Sequence, residues 1–232
     1  MAAKVFVLGR PGSGKTTAVR HMHELYSRMG GEARRVRDYE ILYEMFLNDQ
    51  KEHLGRFQQS AYCGFDVLDM AVVDEALMTL EKSIKKILNT RVDYANEHSL
   101  NELITIEFAR DNYQQALKNF DKAFLQDAYF FFVEADLETC MRRIRQRITF
   151  PMDGERPVDD CHYVSDYIMQ TYYHKDCEEY VLEQLASDFA LDPGKIIMCR
   201  NEGSLDALLK RVDRFMEQLV SDVAPLSVVG TK

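Results

Sequence analysis

An eight-residue stretch near the N-terminus, GRPGSGKT at residues 9–16, has the residue types and spacing of a phosphate-binding loop. An apolar run precedes it and a helical pattern follows it, which is the context that the motif requires. Glycines let backbone N–H groups turn inward around phosphate oxygens, and the helix N-terminus adds its positive end. Lys15 can then reach the outer phosphates, while the Thr16 hydroxyl can ligate Mg²⁺.

The same stretch defines the residues expected to hold a nucleoside triphosphate. A helix capped by a Gly-Ser turn, with Lys15 on the surface, is the alternative, and the complete motif in its full context disfavours it. We therefore expect the triphosphate to contact Gly12, Ser13, Gly14, Lys15, Thr16 and Thr17.

Two acidic side chains stand at the ends of other predicted strands. Asp38 follows the second strand, where it could accept a proton from an acceptor hydroxyl or help to position Mg²⁺. It could equally be the N-cap of the next helix. Glu107 stands at the end of the third strand, as a position for a base or a magnesium-bound water, and Arg110 follows that strand as an anion clamp. A purely structural Glu-Arg pair is the alternative for these two residues.

Arginines are concentrated after the fourth predicted strand, in the stretch ETCMRRIRQR. Arg143 and Arg147 lie four residues apart and so on one face of a helix, whereas Arg142 and Arg145 point to other sides. Two guanidinium groups one turn apart can embrace phosphates or stack on a base. Solvated surface arginines are the alternative, and a nearby triphosphate site favours the functional interpretation.

Short apolar runs bounded by turn residues predict the strands that position these side chains. They cover residues 5–8, 33–37, 103–108, 129–133 and 195–199. Helical patterns lie between them, at residues 16–29, 66–88, 110–123, 137–148, 159–189 and 205–220. This alternation predicts an α/β protein with a largely parallel sheet. We assign its core to residues 1–37 and 103–222, followed by a flexible tail at residues 223–232.

Two connections interrupt the alternation of strands and helices. Residues 38–102 form a long insertion with a mostly helical pattern, which we assign to an acceptor-binding subdomain. Residues 149–158 contain two prolines and a glycine, a composition that suits a mobile lid over about residues 148–160. Aromatic residues of the insertion and the lid, Tyr39 and Phe65 among them, could stack a base, but at helical spacing we expect them in the core.

The composition argues against several classes of protein. The chain has 232 residues, a net charge of −9 and five scattered cysteines. The acidic balance argues against binding of a nucleic-acid polymer, and the cysteine pattern argues against a disulfide framework or a structural zinc. Neither a signal-peptide pattern nor an apolar run long enough for a membrane span is present, so we expect a cytoplasmic protein without membrane association.

The sequence resembles the nucleoside monophosphate kinases and their adenylate-kinase-like relatives beyond the phosphate-binding loop. The stretch RIRQR at residues 143–147 is similar to the R-I-x-x-R pattern of the helix that leads into the lid of that family. ERPVDDCHYV resembles the far side of the lid, and NEGSL resembles the loop that contacts adenine.

The resemblance implies a P-loop fold of three layers, α/β/α, with a five-stranded parallel sheet in the order 2-3-1-4-5 and a lid that closes over the site. It also implies that Arg143 stacks on adenine and that Arg147 and Arg156 reach the transferred phosphoryl group. The loop that frames the base would contain Asn201, Gly203 and Ser204.

The resemblance fails where the acceptor would bind. Residues 38–102 lack the acceptor-nucleotide arginine and glycine pattern of adenylate kinases. Ser165, Asp166 and Tyr167 stand where an arginine usually follows the Asp-Asp pair. The stretch IEFAR is instead similar to the Glu-Arg strand end of deoxynucleoside kinases.

The sequence thus predicts a kinase that uses ATP and Mg²⁺ to phosphorylate a small molecule, most simply a nucleoside or a nucleoside monophosphate. Lys15, Arg147 and Arg156 would stabilise the transferred group, and Asp38 or Glu107 would orient the acceptor or the metal. A kinase of a non-nucleotide metabolite and a regulatory NTPase that acts through a partner are the alternatives. We expect a monomer or a homodimer.

Overall fold

A computed structural model describes residues 2–60, 64–92, 102–149 and 163–223, and a parallel sheet lies at its centre. The strands are β1 (Ala2–Leu8), β2 (Glu32–Arg37), β3 (Phe57–Gln59), β4 (Phe65–Val67), β5 (Glu102–Phe108), β6 (Ala128–Glu134) and β7 (Ile196–Arg200). The helices are α1 (Lys15–Arg28), α2 (Asp38–Glu52), α3 (Ala71–Val92), α4 (Tyr113–Leu117), α5 (Lys122–Gln126), α6 (Leu137–Thr149), α7 (Asp166–Thr171), α8 (Glu178–Glu183), α9 (Leu185–Phe189) and α10 (Leu205–Val223). Within these ranges, no helix combines the length and the apolar character needed to cross a bilayer.

The five strands of the main sheet are arranged in the order β2-β5-β1-β6-β7, and all neighbours run parallel. When β3 and β4, which form a separate hairpin, are left out and the other five strands are numbered along the chain, the order is 2-3-1-4-5, as predicted. Leu8 at the end of β1 lies opposite both Phe108 of β5 and Phe132 of β6. The carboxyl ends of the central strands therefore meet at one edge, where open parallel sheets bind ligands.

Helices cover both faces of the sheet, as successive side chains of β1 show. Phe6 and Leu8 contribute to a core with α3, α4 and α5, whereas Val5 and Val7 contribute to a second core with α1 and α10. This alternation follows from strand geometry, which points neighbouring side chains to opposite faces. All four residues are fully buried, so the predicted three-layer α/β/α architecture is confirmed.

The connection between β2 and β5 contains strands that its sequence pattern did not predict. Besides α2 and α3, it includes an antiparallel hairpin in which Phe57 of β3 lies opposite Val67 of β4. Because residues 65–67 pair in this hairpin, α3 begins at Ala71 rather than at the predicted residue 66. The assignment of the insertion to an acceptor-binding subdomain stays a prediction.

Two other predicted helices are divided into shorter ones. In place of the helix predicted at residues 110–123, the structure has α4 and α5, because Asn112 and Asp121 cap new helix N-termini there by accepting bonds from backbone N–H groups. The described part of residues 159–189 contains α7, α8 and α9. The predicted lid from residue 150 onward and the predicted tail after Val223 lie outside the described residues.

Candidate functional site

A cavity of about 920 Å³ opens at the carboxyl edge of the sheet and collects most of the predicted site residues. Its lining includes Gly12, Gly14, Lys15, Thr16, Thr17, Asp38, Glu107, Arg110, Arg143, Arg147, Asn201 and Gly203. Three predicted residues are not part of that lining. Ser13 is buried within the loop, Ser204 Oγ accepts a hydrogen bond from the Ala207 N–H at the start of α10, and Arg156 lies outside the described residues.

The phosphate-binding loop joins β1 to α1 as its sequence predicts, and two of its glycines have no room for a side chain. Gly12 and Gly14 have φ angles of 83° and 110°, in the left-handed region. A Cβ at Gly12 would lie 2.5 Å from the Cys140 carbonyl oxygen, and one at Gly14 would lie 2.4 Å from Asn201 Nδ2. The loop therefore packs directly against α6 and the residue that follows β7.

Lys15 is held by the loop itself. Its Nζ donates to the carbonyl oxygens of Gly9 at 2.8 Å and Arg10 at 2.9 Å, and the side chain is buried. Burial lowers the pKa of Lys15, and the nearby carboxylates of Glu107 and Asp38 oppose that shift. A triphosphate would offer charged acceptors to this ammonium group, and hydrogen bonds to charged oxygens are stronger than bonds to carbonyls.

Arg143 and Asn201 brace the loop from α6 and from the end of β7. Arg143 Nη1 donates to the Ser13 carbonyl oxygen at 3.3 Å, and its Nη2 donates to the Asn201 carbonyl oxygen at 2.8 Å. Asn201 Nδ2 donates to the same Ser13 oxygen at 2.7 Å. Both predicted residues thus lie beside the loop, and the proposed contacts of Arg143 with adenine stay a prediction.

A second set of loop contacts was missed by the sequence analysis. Arg10 Nη1 lies 2.8 Å from Glu134 Oε1, at the end of β6, and donates to the Ala135 carbonyl oxygen at 2.9 Å. The Gly9 N–H donates to the Tyr113 hydroxyl at 2.7 Å. Burial raises the pKa of Glu134, and Arg10 opposes that shift. The available signal was the carboxylate of Glu134, which directly follows the strand predicted at residues 129–133, but no function was assigned to it.

Glu107 and Thr16 meet at the start of α1. Thr16 Oγ1 lies 3.5 Å from Glu107 Oε1, and Arg35 of β2 contacts both side chains. The Arg35 guanidinium donates to Glu107 Oε2 from Nη2 at 2.6 Å and from Nε at 2.9 Å. Arg35 was not predicted as a site residue, although the unusual charge of its strand was visible in the sequence.

Asp38 and Arg110 form a buried ion pair in the same cavity. Arg110 Nη1 donates to Asp38 Oδ2 at 2.6 Å, and its Nη2 donates to the Val73 carbonyl oxygen at 2.9 Å. Burial raises the pKa of Asp38, and the charge of Arg110 opposes that shift. Asp38 is the first residue of α2 and Arg37 holds the N-cap position, so Asp38 is not the helix cap that was its alternative interpretation.

Several aromatic rings line the cavity, and of these Phe65, Tyr163 and Tyr173 also pack against hydrophobic core clusters. Tyr39 and Phe65 stack with their ring centroids 5.9 Å apart, and both line the cavity. Tyr163, Tyr172 and Tyr173 line it as well. For two further rings of the insertion, the expectation that they belong to the core is confirmed. These are the buried residues Phe46 and Phe57.

The cavity is positively charged although the whole chain is acidic. Among the described lining residues, seven are cationic and three are carboxylates, a surplus of four positive charges. The cations are Lys15, Arg20, Arg35, Arg37, Arg110, Arg143 and Arg147, and the carboxylates are Asp38, Asp66 and Glu107. This surplus exceeds the negative charge of a magnesium-triphosphate complex, so the cavity favours a further anionic group.

Three solved kinase structures are similar to this chain at low sequence identity. A shikimate kinase from Acinetobacter baumannii in complex with shikimate has 14% identity and a TM-score of 0.45, with 97% of each chain covered. A sugar kinase from Janibacter sp. HTCC2649 has 17% identity and a TM-score of 0.48, with 97% of this chain and 99% of that chain covered. A gluconokinase from Sinorhizobium meliloti 1021 has 11% identity and a TM-score of 0.43, with 96% of this chain and 98% of that chain covered.

Comparisons of the sequence itself give no match, either with protein-family models or with curated proteins. Identities and TM-scores as low as those of the three structures do not assign an activity to this chain. Its function has to be inferred from its own residues.

Proposed function

We propose that this protein is an ATP-dependent kinase that transfers the γ-phosphoryl group of ATP to a hydroxyl group of a small molecule. The observation that supports this most is that Lys15 of the phosphate-binding loop and the buried carboxylate of Asp38 line the same cavity. A volume of about 920 Å³ is of the size that small-molecule sites have. A regulatory NTPase needs the loop, but it needs no group that takes a proton from an acceptor hydroxyl.

At the donor side, Lys15 binds the β- and γ-phosphates, and the loop backbone surrounds them. Thr16 and Glu107 fit a magnesium ion because a hydroxyl and a carboxylate are the hard oxygen ligands that it prefers, and they already approach to 3.5 Å. Bound Mg²⁺ would supply charge neutralisation on the β- and γ-phosphates. Arg143 and Asn201 keep the loop in place through their bonds to the Ser13 carbonyl oxygen.

At the acceptor side, Asp38 is the group that takes the proton. The acceptor hydroxyl gives its proton to the Asp38 carboxylate while its oxygen forms a bond to the γ-phosphorus. The bond from that phosphorus to the β-γ bridging oxygen breaks, and ADP leaves with the electron pair. Arg110 orients Asp38 through the bond at 2.6 Å, and the raised pKa of Asp38 makes it a stronger base than an exposed aspartate.

Closure over the site completes the proposed mechanism. Arg147 lines the cavity near the end of α6, the helix that precedes residues 150–162. We assign to Arg147 and Arg156 the stabilisation of charge on the transferred phosphoryl group. A lid over about residues 148–160 would exclude water, which prevents hydrolysis of ATP in place of transfer.

For the acceptor we propose a nucleoside, or a nucleoside monophosphate that offers one of its sugar hydroxyl groups. Tyr39 and Phe65 give the cavity an apolar, aromatic part of its lining that suits a base, and the surplus of positive charge suits an anionic group. A non-nucleotide acceptor remains the second candidate, because the same positive charge would also accept a carboxylated or phosphorylated metabolite. The two candidates differ in whether the aromatic wall contributes to acceptor binding.

A transfer screen tests both the activity and the acceptor class. Purified protein, Mg²⁺ and γ-labelled ATP are incubated with nucleosides, nucleoside monophosphates, sugars and hydroxy acids, and labelled products are separated. We expect a labelled product from at least one nucleoside or nucleoside monophosphate. Product from a sugar or hydroxy acid alone would select the second candidate, whereas slow hydrolysis of ATP that no acceptor accelerates would contradict the kinase proposal.

Replacement of Phe65 by leucine tests the contribution of the aromatic wall. For a ring-bearing acceptor, we expect KM to rise roughly 5- to 150-fold, since aromatic stacking on a base contributes about 1–3 kcal/mol. The KM of ATP should change less than twofold, as Phe65 lies in the β3-β4 hairpin and not in the phosphate-binding loop. Initial-rate kinetics with each substrate varied in turn gives both constants.

Phe57→Leu is the matched control for this prediction. Phe57 belongs to the same hairpin and contacts Phe65 at a centroid distance of 5.5 Å, but it is buried in the hydrophobic cluster under the hairpin. The same substitution there should lower stability with little effect on the KM of the acceptor. If both variants raised the KM of the acceptor equally, the integrity of the hairpin, rather than stacking on the Phe65 ring, would determine acceptor binding.

A further inference from the structure

Arg35 lies between the two oxygen ligands that fit magnesium. Its Nη2 donates to Thr16 Oγ1 at 3.0 Å and to Glu107 Oε2 at 2.6 Å. A single guanidinium nitrogen therefore connects the hydroxyl and the carboxylate that a divalent cation would also connect. The arrangement is largely shielded from water, since the Arg35 and Glu107 side chains are 16% and 10% exposed.

We propose that Arg35 is a resident cation of the magnesium site, which holds Thr16 and Glu107 in place without metal and is displaced when Mg²⁺ binds with ATP. This inference rests on the proposed function, because it concerns the metal that accompanies the nucleotide. Arg35 is in this account a positioning residue, which acts on the reaction through Thr16 and Glu107.

Displacement follows from the charges involved. A guanidinium group cannot be neutralised by loss of a proton in a protein, so it stays positive at any pH at which the protein is folded. A divalent cation only a few ångströms from it would be strongly repelled in a site that excludes most water. Arg35 lines the cavity, which gives its side chain space to leave the two ligands.

The proposal and a purely supporting role for Arg35 predict opposite effects of its removal on metal binding. If Arg35 only supported Glu107, its removal would leave that carboxylate badly placed and would weaken metal binding. If Arg35 competes with the metal, its removal strengthens metal binding. The sign of the change therefore separates the two roles, and it can be measured without any turnover.

Arg34→Gln provides a matched control for Arg35→Gln. Arg34 is the preceding residue of β2, and its Nε lies 3.5 Å from Glu102 Oε1 at the other end of β5. Arg34 is not among the described lining residues of the cavity. Both substitutions remove one positive charge from the same strand, but only one of them removes it from the proposed metal site.

Binding of Mn²⁺, followed by the electron paramagnetic resonance signal of the free ion, is measured with a non-hydrolysable ATP analogue present. We expect Arg35→Gln to lower the dissociation constant of Mn²⁺ at least about fivefold and Arg34→Gln to change it less than twofold. In EDTA, Arg35→Gln should unfold at a lower temperature than the wild type, because Glu107 has lost its partner. Mg²⁺ with the analogue should then raise the unfolding temperature of this variant by more than that of the wild type.

An unchanged or higher dissociation constant in Arg35→Gln overturns the inference and leaves the kinase proposal intact. If the wild type shows no nucleotide-dependent binding of Mn²⁺, both the inference about Arg35 and the kinase proposal are overturned. If Arg35→Gln does not fold, a second measurement uses the ¹⁵N-labelled wild type. It follows the exchange of the Arg35 Nε–H with solvent, and the signal of this group is assigned because it is lost in Arg35→Lys. Faster exchange on adding Mg²⁺ with the analogue supports displacement, and unchanged exchange overturns it.

Discussion

Replacement of Lys15 by alanine is expected to lower phosphoryl transfer by roughly 10²- to 10³-fold, the usual cost of losing one donor to a developing anion. The effect is large because the ammonium group is buried, where water can replace it only poorly. In the structure, this group donates to the neutral carbonyl oxygens of Gly9 and Arg10. Hydrogen bonds from the same group to charged phosphate oxygens would be stronger. Steady-state rates with saturating ATP and acceptor measure the loss.

Lys210→Ala removes the same charge elsewhere and serves as the control. Lys210 is exposed on α10 and pairs with Asp206 at 2.9 Å, one helical turn away. We expect full activity from this variant, since exposed pairs of this kind contribute little. The unfolding temperature of Lys15→Ala should stay within a few degrees of the wild type, which separates lost chemistry from lost folding. A Lys15→Ala variant with near wild-type rates would contradict the proposed mechanism.

The phosphate-binding loop could be predicted from the sequence because its determinants are local. Residues 9–16 contain the glycines, the lysine and the threonine within a single stretch, and the flanking strand and helix follow from the adjacent patterns. Gly12 and Gly14 are required by close contacts with Cys140 and Asn201, which lie far along the chain. The motif can therefore be recognised from adjacent residues, although the contacts that require its glycines involve residues far along the chain.

The ion pairs of the site could not be predicted because their partners are distant in sequence. Arg35 and Glu107 are 72 residues apart, as are Asp38 and Arg110. Parallel strands β2 and β5 bring these residues together, since Arg37 lies opposite Glu107 in the sheet. A pattern of charges along one strand does not reveal which carboxylate of another strand each arginine will meet.

The hairpin and the aromatic wall were missed for a different physical reason. Strands β3 and β4 have three residues each, too short for an alternating pattern to stand out against the helical spacing around them. Periodicity assigns an aromatic residue to an apolar face, but a core and a cavity wall are both apolar. Phe57 and Phe65 of the same hairpin show this, because only Phe65 lines the cavity.

Asp38→Asn is expected to lower kcat by roughly 10²- to 10⁴-fold, the usual contribution of a general base. Asparagine keeps the shape and an oxygen acceptor for Arg110, but it cannot take the proton of the acceptor hydroxyl. Affinity for ATP should change little, because the proposed contacts of the triphosphate are with residues 12–17. The pH dependence of kcat/KM gives a second readout of the same group.

The wild type should lose kcat/KM as the pH falls through the pKa of Asp38, since the protonated carboxyl cannot accept a proton. Burial raises this pKa, so the loss occurs at a higher pH than for an ordinary aspartate with a pKa of 3.8, and Asp38→Asn should lack it. Removing one partner of a buried ion pair costs about 3–5 kcal/mol, so rates are measured well below the unfolding temperature. Asp66→Asn, which changes another cavity carboxylate, should retain the acidic limb. Loss of that limb in Asp66→Asn and its persistence in Asp38→Asn would assign the base to Asp66.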